Sequence, residues 1–198
     1  MKLRSVCVFC GSQSGTRTEY ADAARELVRV LVAQDVEIVY GGGHVGLMGA
    51  LADQALALGG RVTGVIPEHL MRPEVAHQGL TELLVVDSMH TRKRAMADRS
   101  DAFIVLPGGY GTLEEMFEMV TWLQLQLQAK PVGIVNVEGY FDSLLAFIQH
   151  GAGEGFIRRE HWDLLIVEHA PALLFERLQL HAATMKRSHP PSVDLARG

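Results

Sequence analysis

The sequence predicts a single α/β domain, doubly wound about a mainly parallel sheet flanked by helices. Three observations predict it. Short apolar runs alternate with amphipathic helical stretches through most of the 198 residues. The run Asp101–Leu106 is almost wholly apolar, as suits a parallel strand covered on both faces. Glycine-rich turns follow the strands, and in such folds ligands bind beyond the strands' carboxyl ends, where strand order reverses.

A first strand over Arg4–Phe9 leads into Gly11-Ser12-Gln13-Ser14-Gly15, a turn that suits either a ligand or a plain connection. A helix over Thr18–Ala33 follows, with Tyr20, Ala23, Ala24, Leu27, Val30 and Leu31 at helical spacing. The second strand, Val36–Tyr40, runs into a turn where Gly41, Gly43 and Gly46 match G-x-G-x-x-G. The dinucleotide fingerprint normally follows the first strand and wants an acidic residue about 20 positions on, at the next strand's end. Here the next strand, Arg61–Ile66, ends in Pro67. A turn that contacts a nucleotide, or the backbone of neighbouring turns, fits better.

The helix over Val45–Leu58 closes on Gly59-Gly60. Residues Glu68–Gly79 show no period and contain Pro73 and Glu74, so they read as a long connection. Glu82–Val86 is the fourth strand. The helix through Asp87–Asp98 carries Arg92-Lys93-Arg94 early, where cations oppose the helix dipole, and that local conflict points to function. The fifth strand, Asp101–Leu106, delivers a glycine turn and a helix over Thr112–Gln128. That helix is apolar round so much of its circumference that it needs two partners, the sheet and a second subunit. A sixth strand (Pro131–Asn136), a helix (Phe141–Gln149), a loop (Gly151–Gly155), a last strand (Leu164–Val167) and a last helix (Ala170–Leu180) complete a domain of residues 1–180. Residues 181–198, with Pro190-Pro191, read as a flexible tail.

Composition narrows the function. A formal charge of −5 argues against non-specific nucleic-acid binding. No apolar run is long enough to span a bilayer, and the N-terminus lacks a secretory layout, so a cytoplasmic protein without a membrane partner is expected. Cys7 and Cys10 have C-x-x-C spacing, but along a strand residues three apart face opposite ways, so two buried thiols are expected. The nine histidines show no ligand spacing, so no metal site is expected.

The chemistry concentrates in Pro107-Gly108-Gly109-Tyr110-Gly111-Thr112-Leu113-Glu114-Glu115. A strand end, a glycine turn and a helix start form an anion cradle, because the first-turn N–H groups are unpaired and carry partial positive charge. Thr112-x-x-Glu115 also fits a capping box, in which Thr112 would cap the helix and Glu115 would return to the cap N–H. Spacing alone leaves capping and catalysis both open for Glu115, with Glu114 the alternative catalytic carboxylate.

The run Pro107–Glu115 matches P-G-G-x-G-T-x-x-E, and Met89-His90-Thr91-Arg92-Lys93 resembles its companion segment. With Phe9-Cys10-Gly11-Ser12, Tyr40-Gly41-Gly42-Gly43, Gly46-Leu47-Met48-Gly49 and Gly64-Val65-Ile66-Pro67, the chain resembles the LOG ("Lonely Guy") family of cytokinin riboside 5′-monophosphate phosphoribohydrolases over residues 4 to 180. The resemblance implies a Rossmann-like fold, a homodimer and no cofactor. It implies hydrolysis of the N-glycosidic bond of N6-modified AMP, and of AMP itself, to free base and ribose 5-phosphate. Arg92 and Glu115 would be catalytic. Glu74, Arg92, Lys93, Gly108, Gly109, Tyr110, Gly111, Thr112, Leu113, Glu114 and Thr121 would bind the nucleoside monophosphate. Relatives have carried a lysine decarboxylase label, which the few lysines (Lys2, Lys93, Lys130, Lys186) make a poor expectation. A non-catalytic nucleotide sensor is the alternative reading, and a dinucleotide oxidoreductase built on Gly41–Gly46 a third.

Overall fold

The computed structural model describes residues 2–72 and 75–188, with the side chains of 186–188 left aside. Seven strands alternate with helices: β1 Ser5–Phe9, α1 Thr18–Ala33, β2 Glu37–Tyr40, α2 Gly46–Ala57, β3 Val62–Pro67, β4 Glu82–Val86, α3 Met89–Asp98, β5 Ala102–Val105, α4 Tyr110–Gln124, β6 Val132–Val135, α5 Asp142–Gly153, a short α6 Arg159–Trp162, β7 Leu165–Glu168 and α7 Pro171–Ser188. The sheet order is β4-β3-β2-β1-β5-β6-β7, and every pairing is parallel. The chain is therefore the expected Rossmann-like domain, with a wholly parallel sheet where a mainly parallel one was anticipated.

Both faces of the sheet are covered, which is why β5 and β6 are buried at every position. On one face Leu27 and Leu31 of α1, Leu51 of α2, and Leu174 and Leu178 of α7 pack on Val6, Val8 and Ile104. On the other, Met96 of α3, Met116 and Met119 of α4, and Phe141 before α5 pack on Cys7, Phe9, Phe103 and Ile134. Each fully buried side chain of this size contributes about 1.5–3 kcal/mol. Cys7 and Cys10 are free and buried in these two separate layers, as strand alternation requires.

Helix ends account for most departures from the expected boundaries. α4 stops at Gln124 rather than Gln128. Gln126 turns left-handed (φ 58°), and the Leu127 N–H donates to the Trp122 carbonyl at 2.8 Å, closing the helix early. α5 runs through Gly151 to Gly153 and is stopped by Gly155 (φ 82°), so the expected loop over Gly151–Gly155 is mostly helix. α7 continues to Ser188, beyond the expected end at Leu180; Ala182 extends the layer of Leu174 and Leu178, and Met185 packs against the layer on the other face. The rest of the expected tail, 189–198, lies outside the described residues. No helix among the described residues is long and apolar enough to cross a membrane.

Candidate active site

Strand order reverses between β1 and β5, so the site forms beyond their carboxyl ends. The two ends are knitted together: the Leu106 N–H donates to the Phe9 carbonyl at 2.9 Å and the Gly11 N–H to the Pro107 carbonyl at 3.0 Å. α4 starts immediately after, with Gly109 as its N-cap (φ −91°, ψ −153°) and no side chain capping it. Its first-turn amides are therefore left without a capping side chain, at the edge of a cavity lined by Gly109 to Thr112. Thr112 is the third helical residue rather than the cap, so the capping-box reading is overturned.

The Glu115 carboxylate instead meets Arg92. Oε1 lies 3.2 Å from Arg92 Nη1, and the two side chains are only 10% and 12% exposed. Three elements hold the guanidinium in place. α3 carries it, Nε donates to the Val65 carbonyl of β3 at 3.0 Å, and Nη2 donates to the Gly41 carbonyl after β2 at 3.4 Å. The basic run thus sits early in a helix capped by Ser88, whose Oγ accepts from the Thr91 N–H at 3.1 Å. Burial pushes the Glu115 pKa up, the Arg92 charge opposes it, and the net position is above the ordinary 4.5.

Gly41 is glycine because a Cβ there would lie 2.1 Å from Arg92 Nη2. Gly41→Ala is therefore expected to displace the guanidinium and lower kcat by about 10²-fold, with circular dichroism unchanged. Steady-state kinetics on the purified variant checks it.

A cavity of about 500 Å³ opens above this pair. Gly109, Tyr110, Gly111 and Thr112 line one end, and Val45, Met48, Ile66, Leu70 and Val75 form an apolar wall. Cys10, Ser12 and Gln13 line it from the β1 side. Burial, reinforced by Glu115, pushes the Cys10 thiol far above its usual range. Native protein is accordingly expected to leave Cys10 unlabelled by maleimide until unfolded, which mass spectrometry reads directly. A second pocket of about 230 Å³ lies beside it, lined by Gly108, Tyr20 and Tyr140. The Tyr140 hydroxyl donates to the Gly108 carbonyl at 2.7 Å.

The G-x-G-x-x-G turn serves packing. Gly46 has φ 63°, and a Cβ there would stand 2.3 Å from the Ser12 carbonyl carbon. The Leu47 and Met48 N–H groups donate to the Gly11 carbonyl at 3.0 and 3.3 Å. The start of α2 is thereby spent on protein backbone, not on a pyrophosphate, and the dinucleotide reading loses its anion site.

Among the sequence-predicted residues, Arg92, Gly109, Tyr110, Gly111, Thr112 and Glu115 converge on the main cavity, and Gly108 lines the pocket beside it. Leu113 packs instead against the core layer of Met116 and Phe141. Lys93 pairs with Glu114, and with Glu118 at 2.9 Å. Thr121 is exposed and donates its hydroxyl to the Phe117 carbonyl at 2.7 Å. Glu74 lies outside the described residues. Sequence reasoning missed the apolar wall of Val45, Met48, Leu70 and Val75. Its only signal was position: all four lie in segments that follow carboxyl ends of strands.

Residues 48–178 match the family model described as "Possible lysine decarboxylase". The chain is 54% identical over 157 residues to cytokinin riboside 5′-monophosphate phosphoribohydrolase LOG1 of Arabidopsis thaliana, covering 79% of this chain and 73% of that one. It is 46% identical over 187 residues to LOG3 of the same plant, named for the same activity, covering 94% and 86%. The chain belongs to the LOG family. A molybdenum cofactor carrier protein from Chlamydomonas reinhardtii shares the fold, with a TM-score of 0.66 at 18% identity over 91% of this chain and 98% of that one.

The decarboxylase wording in the family model would imply pyridoxal phosphate on a lysine, and the residues do not fit it. Burial acts to lower the pKa of Lys93, but the hydrogen bonds its ammonium donates to the Glu114 and Glu118 carboxylates outweigh it and hold the ammonium above its ordinary range. A Schiff-base lysine needs the opposite shift. Lys130 is turned away, donating Nζ to the Ala97 carbonyl at the end of α3 at 2.6 Å.

Proposed function

We propose that this protein hydrolyses the N-glycosidic bond of N6-modified adenosine 5′-monophosphates, and of AMP, to free base and ribose 5-phosphate. Its relatives, named for this activity at about half identity, support an enzyme of this class. The observation that carries the mechanism is the buried Arg92–Glu115 pair on the wall of a cavity that also contains an uncapped helix start. The phosphate binds the amides from Tyr110 to Thr112. Glu115 stands three residues further, about 4.5 Å of helix rise, which suits a ribose between phosphate and base.

Water attacks C1′ as the bond from C1′ to the base nitrogen breaks, and the ring passes through a cationic, oxocarbenium-like state. The Glu115 carboxylate stabilises that charge and takes the water's proton, which ends on the departing base. Arg92 keeps Glu115 ionised and aimed. Glu115 must be ionised to act, and burial holds its pKa above the ordinary 4.5. Activity is therefore expected to rise with pH through that raised value, and the acid limb of the kcat/KM profile is expected above the usual carboxylate range. An acid limb at or below 4.5 contradicts this assignment.

We further propose a homodimer in the cytoplasm. Phe117, Leu125 and Leu127 leave 40%, 58% and 68% of their surface exposed on and just after α4, and Thr121 lies one turn beyond Phe117. Thr121 is about 13 Å of helix rise from Thr112, so a substrate contact through Thr121 would reach a partner's site. Light scattering should return twice the chain mass, and Phe117→Glu should halve it.

The test of function is incubation with AMP and N6-isopentenyl-AMP, with products separated by chromatography. Free base and ribose 5-phosphate are expected. Binding without release would favour the sensor reading.

A further inference from the structure

One buried histidine beside the cavity has no part in the chemistry above. His77 is 9% exposed. Its Nδ1 accepts the Gly79 N–H at 3.0 Å, so its proton sits on Nε2, which donates to Asp53 Oδ1 of α2 at 3.0 Å. Its backbone N–H donates to the Gly42 carbonyl at 2.9 Å, and the Val75 carbonyl accepts from the His44 N–H at 3.0 Å. Ala76 bridges Gly43 in antiparallel fashion. The segment from Val75 to Gly79 is thereby held across the turn Gly41–Gly43.

That turn is shared with the reaction centre. The Gly41 carbonyl takes a hydrogen bond from Arg92, and the Gly43 carbonyl takes one from the buried Tyr40 hydroxyl at 3.0 Å. Val75 in turn forms part of the apolar wall with Met48, Ile66 and Leu70. With the phosphate at the start of α4, this wall is where the base and its N6 substituent lie. Asp53 belongs to no core layer, since 74% of its side chain is exposed. Its contact with a buried imidazole ties the surface of α2 to this one segment.

We propose that His77 and Asp53 form a latch that fixes Val75 in the base wall, which makes His77 a positioning residue for recognition of the base. The proposal rests on the nucleotide reading above. Hydrogen bonds of this kind are directional, and losing one lets the segment shift without disturbing the helix start that holds phosphate.

The test measures kcat and KM for N6-isopentenyl-AMP, and inhibition by ribose 5-phosphate, which has no base. His77→Ala is expected to raise KM about tenfold, with kcat and the ribose 5-phosphate Ki within about twofold. Asp53→Ala, on an exposed side chain and so safe for folding, should raise KM about threefold in the same pattern. His77→Gln, whose amide can reach Asp53, should recover part of the loss. KM unchanged in Asp53→Ala and His77→Ala overturns the latch, as does a parallel rise in KM and the ribose 5-phosphate Ki. If His77→Ala fails to fold, Asp53→Ala decides alone. A wild-type protein that releases no base overturns the nucleotide reading and the latch with it, whereas an active wild type with insensitive variants overturns the latch only.

Discussion

Glu115→Gln is expected to lower kcat by about 10³-fold, the range for removing a positioned acid–base group, while leaving the protein folded. The amide fits the same space and can still accept from Arg92, but it cannot take a proton or stabilise a cationic ribose. Stability should move the other way. Glu115 has a folded-state pKa raised by burial despite Arg92, so its carboxylate is favoured less in the folded chain than in the unfolded one. Its contribution is fully present below the unfolded pKa and is lost as pH rises through the higher folded value. At pH 7 the glutamine variant, which carries no such penalty, should melt at or above the wild-type temperature, and its advantage should vanish in acid. Thermal melts between pH 4 and 8 beside single-turnover kinetics read both effects. A variant that keeps wild-type turnover would remove Glu115 from the chemistry.

Arg92→Ala should lose both activity and stability. It strips the counter-charge from a carboxylate that is 90% enclosed, and removing one partner of a buried pair costs about 3–5 kcal/mol. It also leaves the carbonyls of Val65 and Gly41 without the guanidinium donors. The remaining Glu115 should titrate still higher, moving the acid limb of the rate profile upward. Arg92→Lys should restore some stability but little rate, since one ammonium cannot serve Glu115, Val65 and Gly41 at once. Because the two residues act as a unit, the double variant Arg92→Ala with Glu115→Gln should be little slower than the slower single one. Additive losses would mean that the pair does not work together.

Much of this site was legible in the sequence because its signals are local. A strand, a glycine turn and a helix start are contiguous between Asp101 and Glu115, and parallel topology brings the other glycine turns to the same edge. Spacing alone does not separate capping from catalysis for Glu115, which only the family resemblance assigns to the chemistry. Thr112-x-x-Glu115 spacing satisfies a capping box, and only the position of Gly109 as N-cap, with Arg92 arriving from α3, decides against it. The family resemblance alone makes Lys93 a substrate contact; spacing says nothing of its direction, since successive helical residues point about 100° apart, and here its ammonium pairs with Glu114 and Glu118. The apolar wall was hidden for a related reason. Val45, Leu70 and Val75 come from separate connections, and no periodicity records that they meet. Helix ends were misjudged where the stop was a left-handed residue without a glycine, as at Gln126, or where glycine sat inside a helix, as at Gly151.

In the proposed mechanism the amides at the start of α4 hold a phosphate and so place the ribose against Glu115. The most direct test compares kcat/KM for N6-isopentenyl-AMP with that for the same riboside lacking phosphate. A preference of about 10³-fold or more for the monophosphate is expected, corresponding to about 4 kcal/mol of phosphate binding used in the transition state. Equal rates on both substrates would contradict it.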